Sequence, residues 1–279
     1  MRHSRFLTAS IGLAFGLALC WLLVAHVGVL RTQTAQFHFS WLALLGVLII
    51  SWLLLETGAA KWACLDRLLG RSAPQPQAYY RRHLTWQNWL AQILPATVTL
   101  IASRAFITHQ AADRNWRRGL ENGVIDQASE FLIILAFIPA SLWQLYGDIS
   151  FLLWLGVGCA TTCAAILVGM IVWPQYVMRD VMLWSGVRVA LLTLRLVCGA
   201  VALGVPLNLW HIAYATPPAT LTALLPLTPG NLGIAEWGWT YVLTLWHADP
   251  AIAALYALGF RGLIFAAQTL LLPLARRRR

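Results

Sequence analysis

Long apolar runs, interrupted by short clusters of arginine, glycine and proline, set the pattern of this chain. Apolar stretches at 6–30, 40–60, 120–145, 150–173, 187–209 and 250–273 each reach about 20 residues or more, which predicts six transmembrane helices. Two further apolar stretches, 84–104 and 212–246, do not read as simple spans. The first contains Pro95; the second contains Pro217, Pro218, Pro226, Pro229, Gly230 and Gly233. Proline removes a backbone donor and glycine lets the chain reverse, so both stretches are expected to break. The basic Met1–Arg5 and apolar Phe6–Leu30 share the charge pattern of a signal peptide. The apolar run is long for a cleaved segment and is read as a retained first span.

Composition strengthens this picture. Of 279 residues, 59% are hydrophobic and only 11% charged; mean hydropathy is +0.68. A soluble domain carries about 25% charged residues, so the chain reads as a polytopic membrane protein with no room for a separate soluble domain. The net charge is +10. Such a balance suits nucleic acid in a soluble protein, but in a membrane chain it marks cytoplasmic loops, and no nucleic-acid partner is expected. The five cysteines imply no disulfide framework. Cys159 and Cys163 lie one turn apart with no His or carboxylate beside them, which favours apolar packing over a metal.

The basic residues also bear on topology. If 84–104 and 212–246 both cross, alternating loops place 11 Lys/Arg inside and seven outside. If both are re-entrant hairpins, 17 lie inside and only Arg31 outside, with Arg195 and Arg261 within spans. The positive-inside rule favours the second arrangement. Both termini are then cytoplasmic, and the chain divides into inverted repeats, 1–145 and 150–273, each reading span, span, hairpin, span. Opposed broken helices meeting at midplane are a transporter architecture. A short echo, Leu94-Pro95-Ala96-Thr97 against Leu225-Pro226-Leu227-Thr228, agrees with the repeat.

Irregular backbone at membrane depth must line a cavity or be buried in protein. The Pro229-Gly230-Asn231-Leu232-Gly233 tip would aim the start of a helix, with its free N–H groups, at midplane, which suits an anion; a plain break filled by packing is the alternative. Ionisable residues within spans are functional candidates: Glu56, Asp126, Glu130, Arg195, Glu236 and Arg261. Depth along the helices pairs Arg195 with Glu130 or Asp126, and Arg261 with Glu236. These read either as interhelix ion pairs or as arginines shared with a lipid phosphate. Glu56 is expected to snorkel or pair with Lys61, and Arg104 to be a headgroup contact or an interfacial anchor. Thr228, Asn231 and Thr97 are candidate midplane donors. Trp21, Trp62, Trp143, Trp173 and Trp210 fall near span ends, as interfacial belts do. No metalloprotease, nucleophile-elbow, phosphate-loop or zinc spacing is present, so no catalytic residue, metal or cofactor is expected.

The segment Leu224 to Glu236, reading L-L-P-L-T-P-G-N-L-G-I-A-E, resembles the P-[IL]-[ST]-P-G-G-L-G-x-x-E signature of the lysylphosphatidylglycerol synthase transmembrane region, with Asn231 in place of the second glycine. The family's arginine in the last span is matched by Arg261, its Leu-Pro segment ending in arginine by Leu94-Pro95 and Arg104, and its basic-Trp pair by Lys61-Trp62. The first hairpin departs from the pattern: Ala96-Thr97-Val98-Thr99-Leu100 stands where glycines and a glutamate are usual. The resemblance implies a compact stand-alone flippase-like protein, not an enzyme, in a bacterial or archaeal cytoplasmic membrane. Its partner would be a lipid with an anionic headgroup: a phospholipid, or a polyprenyl-linked or hopanoid-type lipid. In that assignment Arg261 and the helix start at Gly230–Leu232 hold the headgroup, Glu236 holds Arg261, and Arg195 with Glu130 gates the cytoplasmic half. The alternatives are a non-transporting partner of a glycosyltransferase or lipid synthase, and an intramembrane lipid phosphatase.

Overall fold

The computed structural model describes residues 14, 16–25, 39–70, 75–94, 96–110, 115–147, 149–172, 178–222, 228 and 231–276. Every regular element among them is a helix. In chain order they are α1 (Gly16–Ala25), α2 (Trp41–Leu68), α3 (Gln77–Leu90), α4 (Ala96–Gln110), α5 (Trp116–Gly147), α6 (Phe151–Val172), α7 (Met178–Leu203), α8 (Leu209–Thr222), α9 (Ile234–Leu245) and α10 (Pro250–Arg276). Four of them, α2, α5, α7 and α10, are long and apolar enough to cross a membrane. Of the α7 window only 22% is buried in the protein, and of the α2 and α10 windows 39%. Their outer faces carry Leu42, Leu183, Leu194 and Leu270 into the surroundings, a surface that lipid accepts and water does not.

Two boundaries differ from expectation, each for a local reason. Helix α7 begins at Met178, nine residues before the expected start at 187, which takes Arg188 out of a loop and into a helix. It ends before the expected limit because Gly204 turns left-handed (φ 63°) and the Val205 N–H returns to the Ala200 carbonyl, a C-cap that closes the last turn.

Neither ambiguous stretch forms one long helix. The first, expected over 84–104, is a pair of helices over 77–110; the second, expected over 212–246, is a pair over 209–245. The four helices have 14, 15, 14 and 12 residues, about 18–23 Å each at 1.5 Å per residue, short of the roughly 30 Å hydrocarbon core. Helix α3 stops in a turn at Ala91–Leu94, directly before Pro95, where proline disfavours a helical predecessor. Pro95, Pro226, Pro229 and Gly230 themselves lie outside the described residues.

The packing is regular. Helix α2 runs against α7 at the centre. Helix α5 packs on α4, and α10 on α9. Helix α3 packs on α2 and α10, and α8 on α7 and α5. The apolar core around Trp154, Tyr214, Tyr256 and Phe260 ties α6, α7, α8 and α10 together. A smaller one around Leu55, Trp62, Tyr80, Leu84 and Leu271 ties α2, α3 and α10.

Candidate functional site

The site begins on α5, where Asn122, Asp126 and Glu130 recur every four residues and share one face. Gly119 and Gly123 bring α4 against that helix. A Cβ on Gly119 would lie 2.5 Å from the Arg104 carbonyl oxygen, and one on Gly123 would lie 2.9 Å from the Ile101 Cα. This small-xxx-small contact delivers Arg104 to the α5 stripe. Its guanidinium donates to the Asn122 side-chain Oδ1 (2.5 Å) and to the Asp126 carboxylate (2.7 Å), and lies 4.6 Å over the Trp62 ring. Asn122 in turn donates to Asp66 (2.9 Å).

Lys61 reaches the same stripe from α2. It is fully buried, and its Nζ meets Asp126 and Glu130 at 3.0 Å each and the Asp126 backbone oxygen at 2.8 Å. Arg188 arrives from α7. Its Nε meets Glu130 at 2.5 Å and its Nη1 donates to the Leu54 carbonyl at 2.6 Å. That path is open because residue 58 is glycine: a Cβ there would sit 2.4 Å from Nη1. The charges of this cluster are thus paired and hydrogen-bonded, as the cost of isolated ions in a low-dielectric interior demands.

A second pair stands between α9 and α10. The Arg261 Nη1 meets Glu236 Oε1 at 3.0 Å, while Oε2 accepts the Gly233 N–H at 2.6 Å. Glu236 is therefore both the third-position cap of α9 and the partner of Arg261. Gly233 holds φ 84°, and a Cβ on it would also strike Leu19.

Between these two clusters lies a cavity of about 320 Å³, lined from α2, α3, α4, α5, α7, α8, α9 and α10. Its charged wall holds Arg188, Arg195 and Arg261 against Glu130 and Glu236. Arg188 and Arg261 each have a carboxylate partner. Arg195 makes no ion pair or hydrogen bond among the described residues, and its Nε is buried without a partner. It lies seven residues from Arg188 on the same face of α7, about 10 Å further along. The cavity carries one cation more than its carboxylates match.

Several sequence expectations change. Arg195 does not pair with Glu130 or Asp126, because Arg188, Lys61 and Arg104 take both carboxylates. Arg104 is neither interfacial nor a headgroup contact: it is 2% exposed, inside the α4–α5 seam. Asp126 is likewise sealed by its partners. Glu56 pairs with Arg81 (2.8 Å), not with Lys61. Trp62 is buried under Arg104 and belongs to no interfacial belt, whereas Trp21, Trp143 and Trp210 are exposed and Trp173 lies outside the described residues. At the start of α9 the Glu236 carboxylate already accepts the Gly233 N–H, so that donor is not open to an anion. Thr228 is buried and donates to the Leu232 carbonyl. Ala96 and Leu100, not Thr97, line the cavity from α4, and neither Thr228 nor Asn231 lines it. Asn231 is buried with φ 56°, and its N–H returns to the Thr228 carbonyl. Gly230 lies outside the described residues. The expected Glu236–Arg261 pair does form.

Lys61 as an interior partner, Arg188, Asn122, Gly119 and Gly123 were not assigned these roles from the sequence. The spacing signals were there: Arg188 and Arg195 are i, i+7 on one helix, and Gly119 and Gly123 are i, i+4. No family model, curated protein or solved structure matches the chain.

Proposed function

We propose that this is an integral membrane protein that binds the anionic headgroup of a lipid in the central cavity and carries it between leaflets, without chemistry of its own. The observation that carries this reading is Arg195, an arginine without an acceptor among the described residues, facing a cavity lined by eight helices. An unpaired arginine inside a span costs about 2.5–3.5 kcal/mol on insertion scales, and a phosphate matches its planar fork in two hydrogen bonds.

The packing supports an inverted repeat around this cavity. The contact of α4 with α5 is answered by α9 with α10, α3 with α10 by α8 with α5, α2 with α3 by α7 with α8, and α5 with α7 by α10 with α2. The ion pairs follow the same relation with charge exchanged: Arg104 on α4 meets Asp126 on α5, and Glu236 on α9 meets Arg261 on α10. The two short helix pairs are then re-entrant hairpins entering from opposite faces. Lys61, Arg104 and Arg188 are interior ligands and drop out of the topology count. Fourteen Lys/Arg then lie inside and one outside in the hairpin arrangement, against ten and five if both stretches cross, so the positive-inside argument keeps its direction. The resemblance of Leu224 to Glu236 to the lysyl-lipid synthase transmembrane region points the same way.

The test is native mass spectrometry of gently purified protein, wild type beside Arg195→Gln, offered an anionic and a choline phospholipid with equal acyl chains. Wild type retains the anionic lipid preferentially. The variant loses that preference by about tenfold or more, the size of a hydrogen bond to a charged group. Equal retention of both lipids by both proteins would overturn the reading.

A further inference from the structure

Gln268 raises a question that the charge argument leaves open. It lines the cavity from α10, seven residues beyond Arg261 and so on the same face. It is only 4% exposed. Its Oε1 is buried without a donor, and the amide makes no hydrogen bond among the described residues. Buried polar side chains are almost always hydrogen-bonded, and each exception calls for a reason. The facing helix is fixed at this level by the Trp89 Nε1 donating to Thr269 (3.3 Å). Asn88 of that helix and Gln92 of the turn after it also line the cavity, and the only side-chain hydrogen bond of Gln92 among the described residues is a long 3.4 Å one to the Asn88 backbone carbonyl. Beside its charged groups the cavity therefore presents an amide wall of Asn88, Gln92 and Gln268, with little protein to satisfy it among the described residues.

We propose that the cavity selects headgroups bearing hydroxyls as well as a phosphate, a polyol phosphate or sugar phosphate on a lipid, and that Gln268 reads the hydroxyl. This rests on the anionic-lipid reading above and narrows it. A hydroxyl both donates and accepts, so it satisfies an amide whichever end faces it. A methyl ester or a trimethylammonium offers no donor. An ammonium offers donors only and is drawn to the carboxylates of Glu130 and Glu236. Arg195 takes the phosphate and leaves the rest of the headgroup to the amide wall.

The experiment is a competition in native mass spectrometry between phosphatidylglycerol and phosphatidylmethanol with the same acyl chains, with phosphatidylcholine as reference. The first two lipids carry the same single charge and differ in their hydroxyls. Wild type is expected to retain phosphatidylglycerol over phosphatidylmethanol by about fivefold, within the range of one or two net hydrogen bonds. Gln268→Leu, close in size and without polar atoms, brings the ratio to one while still retaining phosphatidylmethanol, which also shows that it is folded. If Gln268→Leu retains no lipid, Gln268→Met is read by the same ratio. A wild-type ratio of one, as water filling the amide wall would give, or a preference that survives in Gln268→Leu, overturns the hydroxyl inference. The anionic reading then still stands if both lipids outcompete phosphatidylcholine. Equal retention of all three lipids by wild type removes both.

Discussion

Replacing Gly119 with alanine places a methyl group 2.5 Å from the Arg104 carbonyl oxygen and 2.7 Å from the Ala105 Cα. Both are backbone atoms, so no side chain can swing aside. Ordinary contact begins near 3.4 Å, and α4 must withdraw by about 0.9 Å, in an interior that is close-packed. That movement pulls Arg104 from Asn122 and Asp126, now at 2.5 and 2.7 Å, toward or past the limit of a hydrogen bond. Overpacking costs about 1–3 kcal/mol. Weakening the charge-assisted contacts costs about 1.5–3 kcal/mol more, against a helix-propensity gain of about 1 kcal/mol. A net loss of about 2–5 kcal/mol lowers the unfolding temperature by on the order of 5–15 °C. Thermal unfolding in detergent, followed by tryptophan fluorescence, measures it. Gly123→Ala, whose methyl would meet the Ile101 Cα at 2.9 Å, has a smaller clash and a smaller drop. Gly156→Ala, with nothing within 4 Å, gains helix propensity and rises slightly. If Gly119→Ala unfolds no lower than Gly156→Ala, α4 does not lie on α5 as described and the placement of Arg104 falls with it.

Lys61→Met removes a cation shared by Asp126 and Glu130 and destabilises by about 3–5 kcal/mol; an unfolding temperature equal to wild type would contradict the pairing. Glu236→Gln keeps an acceptor for the Gly233 N–H but removes the carboxylate charge facing Arg261, so the net charge of the cavity rises by one. Retention of an anionic lipid in native mass spectrometry then rises several-fold, and an unchanged or lower retention counts against the cavity as its site. Arg82 is an exposed residue of α3, and the exposed Pro250 begins α10. In vesicles, Arg82→Cys is expected to react with an impermeant maleimide from the cytoplasmic face only, and Pro250→Cys from the opposite face only. Reaction of both from one face breaks the opposed arrangement of the two helix pairs.

Much of this was readable from residue types, and the remainder depended on helix rotation. Proline and glycine in 84–104 and 212–246 correctly marked stretches that do not form one long helix. Glu236 and Arg261 were expected to pair, and do. The partners of Arg195 were misjudged because depth was the only coordinate used. Two residues at equal depth meet only if their helices turn the right faces to each other, and a single residue of offset rotates a side chain by about 100°. Arg188, assigned to a loop, competes for Glu130 because α7 starts earlier than its apolar run. The leading Met178–Gly186 segment contains Arg179 and Asp180, which hydropathy scores against a span even though they form a helix. Lys61 sat among loop arginines in the charge tally, yet it is the most enclosed cation among the described residues. Two local signals could have been read. Gly119 and Gly123 mark a close helix contact, and the spacing of Gly233 to Glu236 is that of a helix cap whose carboxylate fills its own N-terminus.

The central claim is that the cavity moves an anionic lipid, and translocation in reconstituted vesicles tests it most directly. Phosphatidylglycerol labelled with a fluorophore on its acyl chain, so that the headgroup stays native, is distributed over both leaflets and bleached from outside with dithionite. Wild-type protein is expected to extend bleaching beyond the outer-leaflet share seen in protein-free vesicles. It does so for this lipid and not for the choline analogue, and Arg195→Gln returns the trace to the protein-free level. Wild-type traces that match protein-free vesicles, or that bleach both lipids alike and are unaltered in Arg195→Gln, contradict the account.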